Sequence, residues 1–133
     1  MAIFFKYDDG LPPPYLDRID ELEYMDIVRL KGNIDQEMIP VMEERIEANR
    51  KAGSRINKNI LVDYAKVDKI DTAAIAFHLL RLQEYQEHGF SIGFINLTDD
   101  LKAHLDMFKG NAAFKVYDSE AEAVEDLNRV QNQ

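Results

Sequence analysis

Residues 59–80 read NILVDYAKVDKIDTAAIAFHLL, and the rest of the chain is organised around them. Ile60–Val62 form a short, continuous, branched apolar run, which is typical of a strand covered on both faces. The charged residues that follow predict a loop, anchored by Val67 and Ile70 between acidic and basic neighbours. The stretch therefore predicts a buried strand and a charged loop ahead of a helix.

The helix in this stretch is predicted to run from Thr72 to about His88. Asp71 occupies the N-cap position, where its carboxylate can accept hydrogen bonds from the free N–H groups of the first turn. From Ala73 to Leu80 only His78 is polar, which predicts a helix buried nearly all round at its start and a structural, hydrogen-bonded histidine. The Thr72 hydroxyl is expected close to solvent at the helix mouth.

Outward from this stretch, strands and helices alternate. Tyr15–Leu22 and Asp26–Lys31 are predicted to form an antiparallel pair of strands. The other predicted elements are a helix from Pro40 to about Ala52, a strand at Phe90–Asn96, a helix capped by Thr98 with Leu101, Leu105 and Phe108 inward, a strand at Phe114–Tyr117, and a helix opened by a capping box at Ser119–Glu122 with Val124, Leu127 and Val130 inward.

Alternation of this kind predicts parallel crossovers, and hence an α/β protein with a mixed sheet of about five strands and four helices. Partner and ligand sites in such sheets lie beyond the carboxyl ends of the strands. These ends are expected at Gly32–Asp35, Ala65–Thr72 and Asn96–Asp99.

The composition restricts the possible partners. The 133 residues suit one domain, and the net charge is −9, from 25 acids against 16 bases. An acidic balance disfavours nucleic acid and anionic membranes, because both require concentrated basic surface. No cysteine is present, and no apolar run approaches the roughly 20 residues that a transmembrane helix needs. We expect a cytoplasmic protein that binds neither nucleic acid nor membrane.

Catalytic motifs are absent from the sequence: it has neither a glycine-rich nucleotide loop nor a serine elbow. Its histidines lack the i, i+4 spacing of a helical metal pair; they are His78, His88 and His104. Three acids near the predicted loop could gather as metal ligands, but capping or solvation is expected instead; they are Asp63, Asp68 and Asp71. We expect no enzyme, no metal and no cofactor.

The Thr72 hydroxyl has two interpretations. It is either a second capping or surface group, or a phosphoacceptor. Phosphate at a helix start is stabilised by free amides and the helix dipole, so the fold should survive modification. The added charge of about −1.5 to −2 would then act on whatever protein docks there.

Four stretches in order resemble the STAS domain, the fold of bacterial anti-sigma factor antagonists and stressosome proteins. They cover about Leu16 to Leu127, and they are Leu30–Asp35 with Pro40 following, Leu61–Asp63 through Ile70–Thr72, Gly93–Asn96 leading into Leu101–Phe108, and Phe114–Tyr117 with Asp118–Ala123. Residues 15–130 are accordingly predicted to form the STAS-like domain and residues 1–14 an N-terminal extension, which could serve self-association as a homodimer.

The resemblance implies a partner-switching protein. In such families the unmodified domain binds an anti-sigma factor that is also a serine/threonine kinase, and phosphorylation releases the complex. The family places the acceptor directly after the aspartate at the start of the second helix, which here is Thr72 after Asp71. Asp35 and Asn96 match positions that line the same edge.

This chain departs from the family in the segment Asp71-Thr72-Ala73-Ala74, where a glycine usually closes the motif. Ala73 and Ala74 are thus predicted to contact the partner, with the Ala74 methyl where a partner backbone approaches. Two alternatives remain open: a structural subunit without a switch, and a small-ligand or nucleotide sensor that uses the same edge.

Overall fold

The computed structural model describes residues 13–107 and 114–131. The elements in chain order are β1 (Leu16–Glu21), β2 (Met25–Ile34), α1 (Met38–Lys51), β3 (Asn59–Ile70), α2 (Thr72–Glu87), β4 (Ile92–Ile95), α3 (Asp99–Met107), β5 (Phe114–Val116) and α4 (Glu120–Gln131).

The strands form one sheet in the order β1-β2-β3-β4-β5. β1 pairs with β2 antiparallel, and every later pair is parallel. The predicted fold class is therefore confirmed: an antiparallel entry pair leads into a parallel α/β sheet, with five strands and four helices in the described part of the chain.

Helices cover both faces of the sheet. Along β3, Ile60, Val62 and Tyr64 enter the larger core, whereas Leu61 enters the smaller one, because successive side chains of a strand point to opposite faces. The larger core includes buried residues of α1, α2 and α3, and the smaller core includes Ala123 and Leu127 of α4. Three helices thus pack on one face and one on the other.

The prediction of a charged loop ahead of helix α2 is wrong. Residues 64–70 belong to β3, which continues to Ile70 and pairs with β2 as far as Ile34↔Ile70. β4 pairs only with the first part of β3, up to Asp63↔Ile95. Val67 and Ile70 are buried while the charged residues between them are exposed, as expected of a strand with one solvated face. β2 and β3 therefore extend past β4, and the carboxyl edge of the sheet is stepped.

Helix α2 has the predicted start, but it is not buried all round. Ala74, Ile75, His78 and Leu79 are buried, whereas Ala73, Ala76 and Leu80 are exposed. A helix that rests on one face of a sheet buries only one side, and an apolar sequence does not change that geometry. These exposed apolar residues form a surface that begins beside Thr72 and continues along α2.

Some predicted features lie outside the described residues. These are the first twelve residues of the predicted extension, Phe108 of the third helix's inner stripe, and the side chains of Phe114 and Val130. Pro13 is described: it is buried, and its carbonyl accepts a hydrogen bond of 3.0 Å from the Leu16 N–H. Helix α1 begins at Met38, so Pro40 lies in its first turn as predicted.

Candidate functional site at the start of helix α2

The Asp71 carboxylate accepts hydrogen bonds at the starts of two helices, α2 and α1. Its backbone is extended at the N-cap position of α2, and its Oδ1 accepts a hydrogen bond of 2.8 Å from the Ala74 N–H. Its Oδ2 accepts a second hydrogen bond, of 2.9 Å, from the Gln36 N–H ahead of α1. The predicted cap is confirmed, and the same carboxylate also fixes the β2–α1 turn against α2.

This arrangement leaves the Thr72 hydroxyl available. Thr72 is the first residue of α2 and is exposed. Because Asp71 already caps the helix, the fold does not need the threonine as a cap, and none of the described residues forms a hydrogen bond with its hydroxyl. A protein that approaches this end of the sheet can therefore reach the Thr72 side chain.

The surroundings of Thr72 are acidic. The Asp35 carboxylate accepts a hydrogen bond of 3.0 Å from the Glu37 N–H, so it is held in the β2–α1 turn that Asp71 also contacts. A phosphate on Thr72 would add a dianion to an edge that already carries two carboxylates. Such a modification would change the local charge more than the local shape.

The two alanines after Thr72 differ in exposure. Ala73 is exposed, so its methyl belongs to the surface around Thr72. Ala74 is 0% exposed and lies in the larger core. The expectation that the Ala74 methyl faces a partner is wrong, because the side chain points into the fold and its N–H is bonded to Asp71. The alanine in place of the family's glycine therefore leaves the outer surface unchanged.

Asn96 occupies a different part of the edge. It adopts a positive φ of 57°, which asparagine tolerates better than most residues. Its Nδ2 donates a hydrogen bond of 2.9 Å to Asp63 Oδ1, at the level where β4 stops pairing with β3. Asp35, Asp71 and Thr72 instead lie beyond the far end of the β2–β3 extension. Asn96 thus fixes the position of the Asp63 side chain. The step in the sheet edge separates Asn96 from the other predicted site residues.

The sequence reasoning missed a charged network around Arg29. This guanidinium, whose side chain is 16% exposed, contacts Asp20, Asp63 and Glu120 at 2.8, 2.8 and 2.7 Å. Burial alone would raise the pKa of Asp63, but hydrogen bonds from Asn96, the Ala65 N–H and Arg29 outweigh it and hold that pKa below its ordinary value. A lone arginine within the apolar run of β2 is the signal that could have revealed the network.

His78 is structural, as predicted. It is 3% exposed, and its Nε2 lies 2.8 Å from the Tyr64 hydroxyl of β3. Burial lowers the pKa of His78 to about 4, so the ring is neutral at physiological pH. Over the described ranges, no group of three or more histidines and carboxylates is arranged to hold a metal ion.

None of the helices within residues 13–107 and 114–131 combines the length and apolarity that a membrane crossing requires.

Residues 18–123 match the STAS domain, so the chain belongs to the STAS domain family. No curated protein sequence matches the chain.

Three solved structures illustrate the fold. TM1081 of Thermotoga maritima superposes with a TM-score of 0.67 at 14% identity, covering 84% of this chain and 93% of its own. An anti-sigma factor antagonist from Mycobacterium paratuberculosis gives 0.62 at 14% identity, covering 84% and 92%. The Bacillus cell fate determinant SpoIIAA in its phosphorylated form gives 0.60 at 14% identity, covering 81% and 96%. The fold predicted from the resemblance is therefore confirmed.

Proposed function

We propose that this protein is a non-enzymatic partner-switching regulator of the anti-sigma factor antagonist kind. Its partner is an anti-sigma factor that is also a serine/threonine switch kinase, and phosphorylation of Thr72 ends the complex. The observation that carries the proposal is the exposed Thr72 hydroxyl beside Asp71, which caps α2 in its place. The relatives with this fold include SpoIIAA, which is known in a phosphorylated and an unphosphorylated form.

The chemistry of the switch follows from charge. A partner that docks against a neutral hydroxyl excludes water from it and contacts Asp35, Asp71 and Ala73 around it. A phosphate there would bring a charge of about −1.5 to −2 into the interface without a matching cation. Loss of one contact and burial of unmatched charge costs a few kcal/mol, which is about a hundredfold in affinity. The fold itself is expected to survive, because the phosphate lies at the positive end of α2.

The experiment is a binding measurement with candidate anti-sigma factor kinases from the same organism. Calorimetry compares the wild type with Thr72→Ala, Thr72→Gln and Thr72→Glu. We expect Thr72→Ala to bind like the wild type and Thr72→Glu to bind at least tenfold more weakly. Thr72→Gln has the size of glutamate without its charge, so its affinity should lie closer to that of Thr72→Ala. Equal affinity for all four proteins would contradict the proposal.

A further inference from the structure

The exposed side of α2 continues away from Thr72 as an apolar surface. Ala73, Phe77 and Leu80 are spaced so that they share one side of the helix. Leu80 is 62% exposed and Phe77 is half-buried. The guanidinium of Arg81 lies 5.2 Å from the centroid of the Phe77 ring, which it partly covers. An unpartnered apolar helix side of this kind is typical of a contact surface.

A groove runs beside this surface, between α1 and α2. Both helices are crossovers on the same face of a parallel sheet, so they run in the same direction. The Gln36–Asp71 hydrogen bond joins their starts, and the Arg50–Glu84 ion pair joins their ends. The groove has a volume of about 490 Å³, and its lining residues are Pro40, Glu43, Glu44, Ile46, Glu47, Arg50 and Arg81. One end of it therefore lies at the Thr72 edge.

The charges of the groove are unbalanced. Its two cations, Arg50 and Arg81, both pair with Glu84 of α2. Glu43, Glu44 and Glu47 are exposed, and no cation among the described residues pairs with any of them. The α1 wall thus presents three carboxylates within about one helical turn that no cation of the described residues neutralises. Arg81 lines the α2 side of the groove and lies over the Phe77 ring, so the apolar surface of α2 adjoins the groove at Arg81. A partner that covers both the groove and the adjoining apolar surface must be cationic on one side and apolar on the other.

From this geometry we propose that the partner docks through a cationic amphipathic helix that lies in the α1–α2 groove. Its apolar side packs on Phe77 and Leu80, and its Lys or Arg side chains face Glu43, Glu44 and Glu47. A helix-in-groove contact suits two parallel helices of about 21 and 24 Å, the lengths that 14 and 16 residues give at about 1.5 Å each. The inference rests on the proposed function only for the identity of the partner.

The probe for this surface is a synthetic helical peptide of about 18 residues, roughly 27 Å long, with Leu at i, i+3, i+4 and i+7 and Lys elsewhere. A peptide with Glu in place of Lys serves as the peptide control. Fluorescence anisotropy measures binding to the whole chain. We expect the Lys peptide to bind, the Glu peptide not to bind, and the affinity to fall as salt is raised.

Two matched pairs of variants locate the site. Glu43→Gln/Glu44→Gln/Glu47→Gln removes the groove carboxylates, and Glu23→Gln/Glu122→Gln/Glu125→Gln removes three exposed carboxylates elsewhere. Leu80→Ser removes the apolar contact, and Val116→Ser alters an apolar side chain of similar exposure, 54%, on β5. We expect about a tenfold loss of affinity for each groove variant and less than twofold for each control.

The outcomes separate this inference from the phosphorylation switch. Equal losses for the two glutamine triples would show attraction by net charge alone, and equal effects of Leu80→Ser and Val116→Ser would remove the apolar contact; either result overturns the inference. The assay contains no kinase and no phosphate. If the peptide does not bind at the groove, the result of the Thr72 binding measurement still stands. If the Thr72 variants bind their partner equally well, the result of the peptide measurement still stands.

Discussion

Helices α2 and α3 carry a threonine at the start and a histidine at the same distance along the chain, Thr72 and His78 against Thr98 and His104. On α2 the threonine is exposed and the histidine is buried. On α3 Thr98 Oγ1 accepts a hydrogen bond of 3.1 Å from the Leu101 N–H, while His104 is half-buried, with Nδ1 2.7 Å from the Asp100 carbonyl. The same residue types are used in opposite ways.

The difference arises from the residue before the threonine. Asp71 takes the N-cap position of α2 and places Thr72 one residue inside the helix, where its hydroxyl is not needed. Leu97 cannot cap α3, so Thr98 takes that role itself. Because Asp71 caps α2, the Thr72 hydroxyl has no capping role and is exposed, whereas the Thr98 hydroxyl is used as a cap.

Buried His78 should give the largest effect, which appears under acid. An unfolded histidine takes up a proton near pH 6.5, whereas buried His78 does so only near its pKa of about 4. The unfolded state therefore binds more protons between these values, and the free energy of unfolding should fall by up to roughly 3 kcal/mol as the pH drops from 6.5 to 4. Urea titrations at a series of pH values measure this fall.

The control for the acid effect is a variant of the buried histidine. His78→Gln should flatten the pH dependence in that window, whether or not the variant is less stable at neutral pH. A wild-type slope retained in His78→Gln would show that the buried histidine is not its source.

Removal of the α2 cap should have the next largest effect on the free energy of unfolding. Asp71→Ala removes the acceptor for both the Ala74 and Gln36 N–H groups, and we expect a loss of about 2 kcal/mol in the free energy of unfolding. Asp71→Asn keeps an acceptor oxygen and should lose less than about half of that. Thermal or urea unfolding provides the values. If asparagine were as damaging as alanine, the charge rather than the cap would be the stabilising feature.

Substitution of the two threonines should give the smallest changes in the free energy of unfolding. The order of these two changes shows which hydroxyl is structural. Thr98→Ala removes a cap and should cost about 1 kcal/mol in the free energy of unfolding. Thr72→Ala removes no hydrogen bond within the described residues and introduces a better helix former, so its effect should stay within about 0.5 kcal/mol. The same unfolding measurements decide the order. A larger loss for Thr72→Ala would mean that its hydroxyl is structural.

Much of the fold could be predicted from local patterns. The alternation of strands and helices gave the mixed sheet, and Asp71 and Thr98 were placed correctly as caps because capping depends on a few consecutive residues. The β3 extension was missed because its charged residues resemble a loop when β2 is not known to lie beside them. Strand pairing of this kind depends on residues far apart in the sequence.

The positions of the candidate site residues were predictable only where they depend on residues close by in the sequence. Thr72 follows directly from the position of Asp71, whereas the buried state of Ala74 depends on which side of α2 meets the sheet. The Arg29 network joins β1, β2, β3 and α4; an arginine within the apolar run of β2 signals that it needs partners, but no sequence pattern identifies which residues they are. Asn96 was assigned to the Thr72 edge because the step between β3 and β4 could not be anticipated.

The most direct test of the switch is to map phosphate after incubation with candidate anti-sigma factor kinases from the same organism. The chain has two threonines, so Thr98 is an internal control at a second helix start. We predict that mass spectrometry finds phosphate on Thr72 and not on Thr98, and that Thr72→Ala abolishes incorporation while Thr98→Ala retains it. Phosphate on Thr98 or on a serine, with undiminished incorporation in Thr72→Ala, would contradict the account.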